Sequence, residues 1–598
     1  MHQSRNIFQA LILVLLALLA RAALAAEVVL QVPADAQDLK TPLRAASLSA
    51  QTAGQDNASA QDILAAARAD YARLAEALYR QGRYGAVISI HVDGREAADI
   101  PPLDAPDRIA RVVLRVMPGP RFTFSRAAMA PLAPGTALPP GYRPGQPAPA
   151  GVIENAARDG VDGWRAAGHA KATIADQRIM ADHRGARLSS RIALAPGPQL
   201  RFGRLRMLTE SRVRPGRVRA IAGLPEGRIY SPQELQRAAR RLRRAGAFSS
   251  VTLAEAETPG PGDRLDIEAT LVDAKPRRIG AGAELASREG LTLSGFWLHR
   301  NLLGGAERLR IEGRIGGFGG SSGGSDLSFS TRFERPATLR PDTDLFLEAR
   351  VQDLDQPDYR ERSLRLSGGL SREFSDKLRG EAGLAYQYSD INDDLGARRL
   401  AHLLFPLSAT QDTRDDPLDA THGAYLNLDA TPFVGLDTDA LGARLYLDTR
   451  TYWAFGAKGG LVFATRAQLG TVAGANVADL PADMLFYSGG AGTVRGQSFQ
   501  SLGVSLGGGR QIGGRSFAAI SGELRARVAD KWAVVGFADG GLVAAESWWA
   551  DDGETHFGGG IGLRYDTGLG PVRVDVATPL GSDAGENVEL YVGIGQAF

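Results

Sequence analysis

Residues 443–455 read ARLYLDTRTYWAF, an unbroken alternation. Leu445, Leu447, Thr449, Thr451 and Trp453 fall on one side of an extended chain, and Arg444, Tyr446, Asp448, Arg450 and Tyr452 on the other, because successive strand side chains point to opposite faces. An apolar face against lipid and a charged face toward a watery lumen is the pattern of a membrane strand; a soluble sandwich buries the apolar face in protein instead. Alternation alone fits both. The N-terminus separates them: Arg5 in a short basic lead, an apolar run from Ile7 to Leu19, and Ala23-Leu24-Ala25 as a small-x-small cleavage site make residues 1–26 a signal peptide. Arg21, between the apolar run and the cleavage site, leaves an uncleaved anchor as the alternative. Beyond Ala26 no apolar run reaches the ~20 residues of a membrane helix, so an exported chain that spans a membrane does so as a closed barrel.

Outward from that stretch the pattern recurs. Leu524, Ala526 and Val528 oppose Glu523, Arg525 and Arg527; Val572, Val574 and Val576 oppose Arg573 and Asp575; Val588, Leu590, Val592 and Ile594 form a further apolar face. From about Ala274 the composition shifts to glycine and aromatics, and five of the six tryptophans lie beyond it. At about 20 residues per strand and turn, residues 275–598 read as an all-β transmembrane barrel of about 16 antiparallel strands. The first strand is expected near Arg278–Glu284 and the last near Val588–Phe598. Gly280 and Gly282 on one side and Gly593 and Gly595 on the other would weaken the seam between them. The sequence given ends on Phe598, a large apolar side chain expected at the membrane boundary.

The N-terminal half repeats with a period of roughly 80 residues. A helix stopped by glycine and followed by a short strand occurs at Gly82, Gly168 and Gly246, each placed as a left-handed helix stop. Pro118-Gly119-Pro120-Arg121-Phe122 and Pro196-Gly197-Pro198-Gln199-Leu200-Arg201-Phe202 mark the junctions. Residues 27–119, 120–198 and 199–274 are therefore three tandem α+β modules. In the third, Ser231-Pro232-Gln233-Glu234 is a capping box with proline at the first helical position, and Leu235, Ala238, Ala239 and Leu242 share one face. The Pro/Ala-rich segment Ala128–Ala150 is either an irregular insertion in the second module or a linker. Arg237, Arg240, Arg241, Arg243 and Arg244 either meet anionic headgroups or form a solvated helix face. Module edge strands could accept an extended segment by strand addition, or the modules could merely hold the barrel at a distance.

One cation stands in a run of small residues, Ser488–Gly507, SGGAGTVRGQSFQSLGVSLG, with Arg495 in its Val494-Arg495-Gly496 segment. Some forty residues on, Phe537-Ala538-Asp539-Gly540-Gly541 places an acid in a strand-like run. VRG in a long loop followed by an F-x-D-x-G strand resembles the BamA and TamA superfamily of POTRA-containing outer-membrane assembly barrels. Asp412–Pro417, Thr421–Gly423, Gly560–Tyr565 and Gly570–Asp575 are also similar to that family, as is a terminal aromatic such as Phe598. The resemblance implies that the loop folds into the lumen and that Arg495 meets Asp539. Gln497 stands where the family usually carries an aromatic, and Gln596 where it usually carries an apolar residue. Three modules before a barrel resemble the TamA branch more than BamA-like chains, with five, or two-partner secretion transporters, with two after a plug helix. That resemblance implies a Gram-negative outer-membrane assembly factor with its modules in the periplasm, its barrel in outer-membrane lipid, a TamB-like periplasm-spanning partner, and unfolded outer-membrane clients such as autotransporters. The rival is a two-partner-secretion-type transporter passing an extended polypeptide through the lumen; a passive porin would not carry three such modules.

Other chemistry finds little footing. A formal charge of +2 over 598 residues makes no electrostatic case for nucleic acid, and the absence of cysteine removes disulfides and thiolate sites. Gly503-Val504-Ser505-Leu506-Gly507 fits a nucleophile elbow by pattern, but Gly507-Gly508-Gly509 starts no helix. The eight histidines lack metal-ligand spacing. Asp415 with Asp416, and Asp551 with Asp552, read as loop charges, with a calcium site as the alternative. No enzyme, metal or cofactor is expected.

Overall fold

The computed structural model describes residues 26–598 except 56–57, 103, 288, 321–322, 457–459, 549–552, 569 and 582–587. The expected signal peptide and Asp551 and Asp552 lie outside the described residues. The chain divides into two compact units. One runs to Arg204 and includes Glu226–Glu234 and Glu257–Asp266; the other comprises Leu205–Pro225, Leu235–Ala256 and Ile267–Phe598.

In the first unit, strand Glu27–Gln31 pairs in parallel with Arg111–Met117, which pairs in turn with Val87–Val92. Helices α1 (Lys40–Ala46), α2 (Leu48–Thr52) and α3 (Ala60–Tyr79) accompany this sheet. Helix α3 starts at a capping box between Ser59 and Asp62 and buries Leu64, Leu74 and Leu78. Asp70, fully buried on α3, accepts from Ser47 Oγ, Leu48 N and Ser49 N and so fastens the start of α2. A second sheet orders Thr123–Ala130, Arg187–Ala195 and Thr173–Asp182, with helix α4 (Ala150–Ala166) packed on it. The Pro/Ala-rich segment is ordered: Ala128–Ala130 ends a strand, Ala133, Tyr142 and Ala148 are buried, and Tyr142 Oη shares a hydrogen bond with Ser190. The residues of α5 (Pro215–Ala222), α6 (Pro232–Arg244) and a third sheet of Arg201–Met207, Arg264–Asp273 and Phe248–Glu255 follow. Gly82, Gly168 and Gly246 have φ of +74°, +98° and +72°, the conformation in which a helix ends most cheaply on a residue without Cβ.

The barrel closes with sixteen antiparallel staves, in order β1 (Arg277–Ala286), β2 (Gly290–His299), β3 (Arg308–Phe318), β4 (Asp326–Arg335), β5 (Thr343–Asp355), β6 (Tyr359–Ser375), β7 (Leu378–Asp393), β8 (Gly396–Leu404 continued by Leu407–Asp412), β9 (Gly423–Gly435), β10 (Leu441–Phe455), β11 (Leu461–Ala473), β12 (Ser516–Ala529), β13 (Trp532–Ala544), β14 (Glu554–Tyr565), β15 (Val572–Leu580) and β16 (Glu589–Ile594). Stave β8 is interrupted at Phe405-Pro406, yet both of its segments pair with β7 and β9; proline has no N–H for the ladder. Large apolar side chains point outward and stay exposed, with Ile520 at 64%, Leu441 at 65% and Ile561 at 68%, whereas Arg495, Glu523, Asp539 and Arg564 are buried. That inversion is a wall between lipid and a polar lumen.

The seam is short. β1 pairs with β2 over ten residues, from Arg277↔His299 to Ala286↔Gly290. Against β16 it pairs only at Leu285↔Val592 and Ala286↔Tyr591, extended by Ser287 N–H to Leu590 O at 3.0 Å. Of the glycines expected to weaken the seam, Gly280 and Gly282 lie on β1 in the stretch without a partner on β16 among the described residues, Gly593 lies on β16 opposite Arg573 of β15, and Gly595 lies past that strand with φ +91°. Nor does Phe598 extend the last strand to the membrane boundary. After Gly595 the chain turns inward, Gln596 bonds Asp419 and Arg564, and Phe598 is buried with Ala420, Tyr452 and Ala464.

Candidate functional site

The connection between β11 and β12, residues 474–515, crosses the lumen. Its Met484, Leu485, Phe486 and Leu502 pack with inward residues such as Phe433, Val472 and Phe517. On one wall it carries Arg495 into a buried cluster. Arg495 Nε and Nη2 donate to Asp539 Oδ2 and Oδ1 at 2.7 and 2.9 Å, and its backbone N–H also donates to Oδ2 at 3.1 Å. Nη1 donates to Glu523 Oε1 at 2.6 Å and stands 3.8 Å from Asp575. The guanidinium lies over the Phe537 ring, 3.7 Å from its centroid. Arg525 holds the other oxygen of Glu523 at 2.9 Å, and Arg564 pairs with Asp575. Three cations therefore meet three anions. A buried charge requires such pairing, because each desolvated ion is costly unless its hydrogen bonds are replaced.

Period-2 alternation on β12 to β15 aims these side chains inward. Glu523 and Asp539 come together because Ser521 pairs with Asp539 across β12 and β13, leaving Glu523 two residues along on the same face. The sequence does not join Glu523, Arg525, Arg564 and Asp575 to Arg495, although the alternation that turns Glu523, Arg525 and Asp575 to one face is legible; their convergence depends on strand register, which one strand read alone does not contain.

Small residues make the seat. A side chain at Gly558 would collide with the Arg495 carbonyl, and one at Gly496 with the backbone of Thr578. Gly541 lies against Ser488 and Val494, which is fully buried. Gly496 N–H donates to Tyr591 Oη of β16 at 3.2 Å, so the loop touches the seam strand. Gln497 donates to Phe557 O at 2.7 Å, a polar contact where an aromatic was the family expectation.

The loop has a second attachment on the opposite wall. Asp483 N–H donates to Glu361 of β6 at 3.0 Å, and Gln387 of β7 donates to the Asp483 carboxylate at 3.2 Å. Arg444 Nε donates to Met484 O at 3.0 Å. At the rim, Gln511 bonds Asp394 at 2.7 Å and Asp358 at 2.9 Å. Beside the loop a polar cavity of about 470 Å³ remains between Phe499 and the inner faces of β2 to β6. Ser505 lies on a hairpin, Val504–Gly507 with Arg510–Ile512, and not on a strand-to-helix turn. Asp415 accepts the N–H groups of Thr421 and His422 and so closes its own turn.

Of the five arginines of α6, Arg237 and Arg243 stay exposed, while Arg240, Arg241 and Arg244 are held by carboxylates in turns between barrel strands. Arg241 makes a two-pronged contact with Asp342, in the turn between β4 and β5, at 2.9 and 2.7 Å, and its Nη1 donates to Ala222 O at 3.2 Å. Arg244 reaches the same carboxylate at 3.2 Å, and Arg240 reaches Asp376, between β6 and β7, at 3.1 Å. Burial raises the Asp342 pKa, but the hydrogen bonds and charge of Arg241, then Arg244, hold it below the usual carboxylate range.

Together these features define a modular membrane β-barrel whose lumen is crossed by an ion-paired loop. Residues 301–598 match the Omp85 superfamily domain, and the chain belongs to that superfamily. Among solved structures it is similar to BamA from Haemophilus ducreyi lacking POTRA domains 1–3, at 16% identity and a TM-score of 0.62, over 79% of this chain and 100% of that one. It is also similar to CdiB from Acinetobacter baumannii, at 12% identity and a TM-score of 0.51, over 80% and 90%. At such identities the likeness is one of fold.

Proposed function

We propose that this chain is an outer-membrane assembly factor of the TamA kind, which helps insert barrel clients such as autotransporters from the periplasmic side and works with a TamB-like periplasm-spanning partner. The observation that carries the reading is the seam. Along Arg277–Glu284, β1 has no backbone partner on the β16 side among the described residues, while its other edge is fully paired. An unpaired strand edge is a template for another strand, and the two residue pairs that close it offer little resistance to opening. No covalent chemistry is required of the protein. The rival, passage of an extended polypeptide through the lumen, fits less well with a lumen crossed by a loop fastened to both walls.

The test is a disulfide between Leu285→Cys and Val592→Cys, which face each other across the seam. Oxidation is expected to stop client insertion and reduction to restore it. Insertion that continues through the oxidised seam would remove strand templating and favour lumen transport.

A further inference from the structure

One hydrogen-bonded rung runs through Leu293, Ile315, Leu327, Asp353, Arg362, Asp390 and Arg399, from β2 to β8. All lie on the outward face, toward the rim remote from the start of β1. The rung beneath it, Gly295, Gly313, Phe329, Val351, Leu364, Tyr388 and Ala401, carries no charge. Because barrel strands tilt by roughly 35–45° to the membrane normal, a rung runs obliquely through the bilayer. The change from Leu327 to Asp353 therefore marks where the outer wall leaves the hydrocarbon, and Arg362 and Arg399 stand at headgroup level.

The arginines leave their amino groups open. Arg360 and Arg362 approach Asp353 through Nε, at 3.5 and 3.1 Å, and Arg399 approaches Asp390 through Nε at 3.5 Å. Their side chains are 52%, 66% and 74% exposed. On the lumen wall, by contrast, Arg350, Arg450 and Arg466 give Nη2 to a carboxylate. The amino forks of the outer three are thus presented outward, the geometry that binds phosphate oxygens in pairs. Asp353, Asp390 and Asp355, which pairs with Arg360, balance the charge, so the patch lacks the field to concentrate a free anion. An anion brought there by an apolar anchor is a different case. Below Asp353 the outer wall has a trough of about 540 Å³ lined by Leu293, Gly295, Gly313, Phe329 and Val351.

We propose that Arg360, Arg362 and Arg399, with the adjoining trough, seat a phosphorylated glycolipid of the outer leaflet: its phosphates on the guanidinium forks and an acyl chain in the trough. The leaflet rests on the proposed orientation with modules in the periplasm. The two elements act together: burial of an acyl chain supplies the anchor, whereas exposed ion pairs alone are weak and supply the choice of headgroup.

The probe is bisphosphorylated hexa-acyl lipid A added to the purified full chain in detergent, read by the temperature at which the heat-modifiable band is lost. Lipid A is expected to raise that temperature. In R360Q/R362Q/R399Q its half-saturating concentration is expected to rise about ten-fold, the loss of a few charge-assisted hydrogen bonds, while R372Q, an arginine near the opposite rim, leaves it unchanged. Should the triple variant fail to fold, R362Q alone must show a smaller shift in the same direction. Equal response of variant and parent overturns the proposal. So does equal stabilisation by dephosphorylated lipid A, which would make the trough sufficient, or by inorganic phosphate, which would make the site a simple anion site. Client insertion by the triple variant is measured in parallel: lost lipid response with intact insertion separates this site from the assembly reading.

Discussion

Arg495 is the residue on which the lumen loop depends, because it answers two carboxylates directly and a third at longer range. The sequence pairs it with Asp539 alone, and from that pair the two single substitutions should be equivalent. The cluster changes the expectation. Arg495→Ala leaves Asp539 without its cation and Glu523 with Arg525 only; removing one member of a buried pair costs about 3–5 kcal/mol. Asp539→Ala leaves Arg495 still held by Glu523, so its effect is expected to be smaller, and a double-mutant cycle should give a coupling below the full Arg495→Ala loss. Arg495→Lys should recover little, since an ammonium cannot bridge Asp539 and Glu523 as a fork does. The measurement is protease cleavage within residues 488–503 of a barrel that remains heat-modifiable, alongside client insertion. Equal protection in Arg495→Ala and the parent would remove the loop's ion pairing from any role in holding it.

At the scale of the element, α6 is tied to the turns after β4 and β6 by Arg240, Arg241 and Arg244. Asp342 has a folded-state pKa below its ordinary value, so its contribution is complete above the unfolded carboxylate pKa of about 4 and is lost only as pH falls through the lower folded value. The attachment is therefore expected to hold at neutral and mildly acidic pH and to weaken below about pH 4. Asp342→Asn should weaken it at neutral pH by about 1 kcal/mol, since the carboxylate is partly exposed, and should match the parent once acid has protonated Asp342; hydrogen exchange in α6 would report a several-fold rise at neutral pH that no longer depends on acid. The same element illustrates what a sequence holds. The start of α6 at Pro232 and its buried face are local and legible, as are the alternation of β10 and β12 and the glycine stops at 82, 168 and 246. The partners of its arginines are not, because Asp342 and Asp376 lie about a hundred or more residues away in turns of no marked composition. The register of the seam and the place of Phe598 are hidden for a related reason: which residues of β1 and β16 pair is set by closure of the whole barrel, and the inward turn after Gly595 follows from contacts with Leu418 and Asp419.

The molecule as a whole joins an edge that can accept a strand to sheets that can do the same. Thr173–Asp182 is exposed along all ten residues at the edge of its sheet, and Glu27–Gln31 is an edge strand paired on one side only. Such edges suit extended partners, whose main-chain hydrogen bonds supply affinity with little demand on sequence. Deleting residues 27–117 removes the first sheet and α1 to α3 together, so no strand of that sheet is left unpaired. It also removes contacts of the second module: Phe122 N–H donates to Gly82 O at 2.8 Å, Tyr84 Oη donates to Ala148 O at 2.8 Å, and the Tyr84 ring packs edge-on to Phe122. The fully buried Phe122 would then face solvent, at a cost of about 1.5–3 kcal/mol to that module. The barrel keeps every stave, so the truncated chain should reach the membrane and remain heat-modifiable, while on the proposed function a TamB-like partner no longer co-purifies. Adding Phe122→Gln to the truncation separates the causes: it relieves the exposed aromatic without restoring the Glu27–Gln31 edge, and partner binding should stay lost. Co-purification retained by the truncated chain would place the partner's docking strand elsewhere, with Thr173–Asp182 the next edge to test.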